Sequence, residues 1–114
     1  MSIFVFIASA LDGLLSDMEE AGELPAGLDR RAVTVEPPRD ASHGDMATNA
    51  AMVLAKPAGT NPRALAEQIA SRIREMPEVA AVDIAGPGFI NMRLVPYAWE
   101  GELLAVHAQG ADYG

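Results

Sequence analysis

The stretch that decides the fold is Val79-Ala80-Ala81-Val82-Asp83-Ile84-Ala85-Gly86-Pro87-Gly88-Phe89-Ile90-Asn91-Met92-Arg93-Leu94-Val95. Val79 to Ala85 is a short, mostly apolar run with the β-branched Val79, Val82 and Ile84, and Phe89 to Val95 alternates. Two such runs joined by the three residues Gly86-Pro87-Gly88 predict an antiparallel hairpin. Side chains on a strand point alternately to opposite faces. Ile90, Met92 and Leu94 therefore make an aliphatic row for a core, and Phe89, Asn91 and Arg93 make a second row facing the other way.

Upstream, Asn61-Pro62 has the form of a helix start, with Asn61 as the cap and Pro62 in the first turn. Leu65, Ile69, Ile73 and Met76 then recur at steps of four, four and three, which predicts one buried helix face closed by Pro77. Pro57-Ala58-Gly59-Thr60 reads as a loop. Before it, an Ala-rich run predicts a helix from about Met46 or Thr48 to Lys56, with Asp45 as its cap. A very short strand at Asp45 to Ala47 is the other reading of the same residues. Arg39 to Asp45 is turn chemistry, and Ala32 to Glu36 alternates as a short strand ended by Pro37-Pro38.

At the start of the chain, Phe4, Ile7, Leu11, Leu14, Leu15 and Met18 repeat at three and four. This predicts an amphipathic helix over 2–21, stopped by Gly22 and followed by a polar connection, 24–31. At the far end, Trp99, Leu103, Leu104 and Val106 predict a last helix over 97–109, after Pro96. Helices with a hairpin and few other strands imply an α+β fold of two layers. Its small antiparallel sheet, of 3–4 strands, carries helices packed on one face. The other face is left for solvent or a partner.

The 114 residues suit one domain, half of them apolar, with no cysteine and a net charge of −8. No disulfide framework, zinc–thiolate site or thiol nucleophile is available. Ala8-Ser9-Ala10 imitates a signal cleavage site, but the first basic residue is Arg30, so a secretory leader is not expected. The negative balance is the wrong sign for a general phosphate binder, whose affinity comes from Lys and Arg. Any nucleic-acid contact must be local.

The row Phe89, Asn91, Arg93 is the one constellation suited to such a contact. An aromatic face stacks on an unpaired base, a carboxamide both donates to and accepts from a base edge, and a guanidinium holds a phosphate. The plain alternative is that Phe89 covers a neighbouring helix while Asn91 and Arg93 are solvated. Gly86-Pro87-Gly88-Phe89 lacks the third glycine and the following helix of a dinucleotide site. His43 and His107 have no carboxylate cluster beside them, and Trp99 sits at core spacing. No catalytic or metal constellation stands out.

Two segments resemble the N-terminal region of bacterial arginyl-tRNA synthetases. One is Val33-Thr34-Val35-Glu36-Pro37-Pro38-Arg39, continued by His43-Gly44-Asp45-Met46-Ala47-Thr48-Asn49-Ala50-Ala51-Met52 and Leu54-Ala55-Lys56. The other is Ala85-Gly86-Pro87-Gly88-Phe89-Ile90-Asn91 with Arg93-Leu94. Asn61-Pro62-Arg63 and its helix also fit, and Gly110-Ala111-Asp112-Tyr113-Gly114 is similar to the lead-in to the catalytic domain. The resemblance implies an α-β-β-α-β-β core, which favours the strand near Asp45. It implies a cytoplasmic class I ligase that joins arginine to tRNA(Arg), with ATP and Mg as substrates of the full-length enzyme and no cofactor in this fragment. Residues 1–114 are then expected to be its N-terminal tRNA-recognition domain, with the catalytic and anticodon-binding domains absent and no catalytic residue. The implied partners are the D-loop at the tRNA elbow, read through Phe89 and Asn91, and the catalytic domain of the same chain, with neither DNA nor membrane involved. Arg93 as a phosphate contact comes from the residues, not from the family. The rival expectations are an interaction module that packs on the catalytic domain without touching RNA, and an independent small enzyme, for which no residue speaks.

Overall fold

A computed structural model of the protein describes residues 3–38 and 44–96. Its elements are α1 (Ile3–Glu20), β1 (Val35–Glu36), β2 (Met46–Thr48), α2 (Ala50–Ala58), α3 (Pro62–Ile73), β3 (Val79–Ala85) and β4 (Phe89–Leu94). The strands form one antiparallel sheet in the order β1-β2-β4-β3. The helices bury their apolar stripes against one face of it, giving the expected two-layer α+β architecture. The last helix foreseen over 97–109 lies outside the described residues, as do His43, Trp99 and His107.

The core joins Ile7, Leu11, Leu15 and Met18 of α1, Leu54 of α2, Leu65, Ile69 and Ile73 of α3, and Ile90, Met92 and Leu94 of β4. All are at most 5% exposed. Each such side chain contributes about 1.5–3 kcal/mol by leaving water. The helix and strand periods read from the sequence therefore locate the buried face correctly. Among the described residues, no helix is long and apolar enough to cross a membrane.

Four local expectations change. The connection over 24–31 is not wholly polar. Leu24 is buried, because the chain reverses at the end of α1 with Glu23 N–H donating to Met18 O at 2.8 Å and Leu24 N–H to the same oxygen at 3.2 Å. An apolar residue just past a helix end commonly closes back onto the last turn in this way. The first strand is shorter than foreseen. Thr34 N–H donates to Asn49 Oδ1 at 2.8 Å and Asn49 Nδ2 donates to Ala32 O at 3.1 Å, so these backbone groups bond to a side chain, and ladder pairing begins only at Val35.

The third change is at Asp45: of the two readings of this segment the strand holds, with Met46–Thr48 paired to β4, and α2 starts only at Ala50. Asp45 does not cap that helix. Its Oδ2 accepts the Leu94 N–H at 2.8 Å, across the sheet. Fourth, α2 runs on through Pro57 to Ala58, where a loop was expected. A proline in a last turn forfeits one backbone bond without ending the helix. The helix closes beyond it, with Thr60 N–H on Ala55 O at 2.9 Å.

Asn61 caps α3 as foreseen, its Oδ1 accepting from Ala64 N at 2.8 Å with Pro62 in the first turn. Two glycines permit close approaches of backbone. At Gly44, φ is 132° and an added Cβ would lie 2.7 Å from Met92 O. At Gly88, φ is 146° and an added Cβ would lie 2.9 Å from Pro62 Cβ.

Candidate nucleic-acid interface

The hairpin turn carries the site and is fixed at both ends. Gly88 N–H donates to Ala85 O at 3.2 Å, closing the three-residue connection. Arg63 Nη1 donates to Gly86 O at 2.7 Å, so the start of α3 holds the turn from behind. The close passage of Gly88 over Pro62 completes this seat. Phe89, the next residue, thus leaves the turn in a fixed direction.

Pleating and register then set the face. Ile90 and Met92 are buried in the core, while Phe89 and Arg93 are exposed on the side away from the helices. Asn91 shares that outer side but is only 6% exposed. This departs from the plain alternative of a solvated amide on the outer face. β4 is a central strand, so Asn91 has Ala47 of β2 on one side and Asp83 of β3 on the other. Paired residues on a sheet share a face with Cβ atoms about 5 Å apart.

The outer face holds an open groove of about 720 Å³. Its walls and floor include Phe89, Asn91, Ala85, Ala47, Asn49 and Glu36. This volume lies within the range of about 300–1,000 Å³ usual for small-molecule clefts. The small side chains of Ala47 and Ala85 leave room beside the ring and above the floor. Phe89 is 42% exposed, so part of its face remains for stacking. Among the described residues, no group hydrogen-bonds to the Asn91 carboxamide.

The structure therefore brings Phe89 and Asn91 into one groove. Arg93 stands one step further along the same row, opposite Ala81, and is not part of the groove lining. Arg93 already has an interaction partner. The lining residues Glu36, Ala47 and Asn49 were not foreseen as site residues. Their place depends on β1 and β2 pairing beside β4, which no local pattern discloses. The one available signal was Glu36, the polar end of the alternating run from Ala32. Among the described residues, no three His, Cys, Asp or Glu side chains converge as a metal-ligand set.

Charged contacts elsewhere fasten elements together. Arg72 Nε lies 3.0 Å from Glu23 Oε1 and ties α3 to the connection after α1. That hydrogen bond holds the Glu23 carboxyl below the usual glutamate range and raises the Arg72 guanidinium further. Arg31 likewise lowers Asp29 through side-chain and backbone hydrogen bonds. Arg30 Nε sits 3.2 Å from Asp12 Oδ1 on α1. None of these groups lines the groove.

Comparison with known proteins agrees with the resemblance carried by the two motifs. The family model described as the arginyl tRNA synthetase N terminal domain matches residues 6–94. The arginine–tRNA ligase of Paracoccus denitrificans is 58% identical over 114 residues, which is 100% of this chain and 20% of that protein. That of Novosphingobium aromaticivorans is 61% identical over 107 residues, 94% of this chain and 18% of that protein. That of Parvibaculum lavamentivorans is 53% identical over 114 residues, again 100% and 20%. The chain thus spans about 20% of the length of the curated relatives it matches. With a family model over most of its length and relatives above 50% identity, the chain belongs to the arginyl-tRNA synthetase N-terminal domain family.

Proposed function

We propose that this domain recognises the elbow of tRNA(Arg) for an arginine–tRNA ligase, by taking one unstacked D-loop nucleotide into the groove on the outer sheet face. In this reading Phe89 stacks on the base and Asn91 bonds to its edge. Arg93, just past the groove, meets a neighbouring phosphate. The domain performs no chemistry itself. Activation of arginine with ATP and Mg, and transfer to tRNA, belong to the remainder of the ligase, which acts in the cytoplasm where tRNA is charged.

The observation that carries the reading is the pairing, in one groove, of a half-exposed ring with the carboxamide of a mostly buried residue, which has no partner among the described residues. A carboxamide both donates and accepts, and a base edge supplies both a donor and an acceptor. One stacked base contributes about 1–3 kcal/mol. That is enough to matter in a large synthetase–tRNA interface without a basic surface here.

The net charge of −8 favours a second reading, in which the groove packs on the catalytic domain and never meets RNA. A footprint of tRNA(Arg) on the full-length protein, with and without residues 1–114, separates the two. Protection of D-loop nucleotides that disappears with the domain supports recognition. An unchanged D-loop footprint supports packing.

A further inference from the structure

The end of β4 opposite the hairpin turn is held by hydrogen bonds on both flanks. Pairing of β2 with β4 reaches only as far as Met46 and Met92, so among the described residues Leu94 has no strand partner on the β2 side. Its N–H is met there by the carboxylate of Asp45, at 2.8 Å. Asp45 N–H in turn donates to Met92 O at 2.8 Å. On the other flank Leu94 pairs with Val79, and Val95 N–H donates to Glu78 O at 2.9 Å. The backbone of β4 is thus fixed up to the residue before Pro96.

Asp45 reaches Leu94 because Gly44 lies directly against β4. A Cβ at Gly44 would stand 2.7 Å from Met92 O and 3.1 Å from Met92 C, backbone atoms that cannot move aside. Asp45 itself is only partly buried and does not line the groove. A strand end is poorly ordered unless it is tied down, and a carboxylate accepting a backbone N–H is a stronger tie than a neutral acceptor. The relatives are about five times as long as this chain, which makes up 20% of their length. The sequence predicts a helix over 97–109 immediately after Pro96, whose φ is fixed. A helix of that length measures about 20 Å, so a swing of about 20° at its base moves its far end by about 7 Å.

We infer that Asp45 is a positioning residue for the whole ligase: by holding the Leu94 N–H it fixes the direction in which β4 hands the chain on, and so the orientation of this domain on the catalytic domain. The tRNA then meets a preset surface and not one swinging on a tether, which removes an ordering cost from binding. The inference rests on the chain serving a full-length arginine–tRNA ligase, as proposed above, and not on how the groove is used.

The test uses the full-length ligase, freed of other cysteines, with one spin label at Ser71→Cys, exposed on α3, and one on the catalytic domain. Electron–electron double resonance reads the distribution of distances between them, at a temperature where circular dichroism shows every variant folded. Asp45→Ala should widen that distribution by about 5 Å or more. It should raise KM for tRNA(Arg) by about three- to tenfold, with kcat within about twofold of the parent. Asp45→Asn, whose carboxamide keeps an acceptor oxygen, should recover most of both effects. Ile69→Val removes one buried methyl group from α3 and leaves the tie at Leu94 whole. It should lower Tm without widening the distribution. A distribution in Asp45→Ala as narrow as the parent's overturns the inference, whatever happens to Tm. Equal widening in Ile69→Val also overturns it, because the loosening would then follow from lost stability alone. Widening confined to Asp45→Ala with an unchanged KM for tRNA(Arg) upholds the role of Asp45 in orienting the domain and counts against tRNA recognition by it.

Discussion

Phe89 and Asn91 stand two residues apart on the central strand β4, share one groove, and differ sevenfold in exposure, 42% against 6%. The ring is at the turn end of the strand, where only Ala85 faces it from β3. The carboxamide is flanked on both sides by paired strands. In the proposed reading, stacking and edge reading are divided between a wall residue and a floor residue. The floor is rigid because it lies in the middle of the sheet, and rigid placement of a polar group is what discriminates between base edges.

The seat of the hairpin on α3 should be sensitive to a single methyl group. Gly88→Ala places a Cβ 2.9 Å from Pro62 Cβ at a φ of 146°. Strain of this kind costs about 1–3 kcal/mol. Urea unfolding should show that loss, and the hairpin should shift relative to Arg63, weakening tRNA recognition beyond what lost stability explains. Parental stability in the Gly88→Ala protein would show that the turn is not held against Pro62.

Asp45 ties the start of β2 to the end of the neighbouring β4, its carboxylate accepting from Leu94 N–H at 2.8 Å. Hydrogen bonds to charged groups contribute about 1.5–3 kcal/mol, and partial exposure here reduces that to about 1–2. Asp45→Ala should destabilise by this amount, and Asp45→Asn, which keeps an acceptor, by less. Amide exchange at Leu94 reads the same bond, and it should accelerate in Asp45→Ala. Unchanged exchange at Leu94 would contradict the assigned role.

The Glu23–Arg72 pair gives a pH dependence of definite sign. Arg72 holds the Glu23 carboxyl below its ordinary value of 4.5, so the folded state binds that proton less readily than the unfolded state. The contribution is present above 4.5 and is lost as pH falls through the lower folded-state value. Stability of the parent should therefore fall more steeply on acidification than that of Glu23→Gln. The two should converge at low pH. The effect is small because both groups are partly exposed and screened. Parallel acid-unfolding curves would show that the pair adds nothing.

How legible the molecule was in its sequence varied with the range of the forces involved. The bounds of β3, the Gly86-Pro87-Gly88 turn, the Asn61 cap and the buried stripe of α3 follow from local chemistry and periodicity, and the structure bears them out. The residues 46–48 read locally as helix or strand. Their pairing with β4, far along the chain, settles the matter, as the family resemblance had implied. The ambiguity at Asp45 has the same origin: its partner Leu94 is 49 residues away. For the site, alternation alone selected Phe89 and Asn91. It did not disclose that Asn91 would be buried or that Glu36 would stand in line with it, because both follow from the strand order β1-β2-β4-β3.

The most direct test of tRNA reading by this groove is aminoacylation by the full-length ligase at limiting tRNA, comparing the parent with Phe89→Ala and Asn91→Ala. Loss of one stacked base, about 1–3 kcal/mol, should lower kcat/KM for tRNA(Arg) by roughly 5- to 150-fold in Phe89→Ala. Asn91→Ala should narrow the discrimination among D-loop variants, and kinetics for arginine and ATP at saturating tRNA should match the parent in both. If both variants charge tRNA(Arg) with parental kcat/KM, the groove does not read the tRNA.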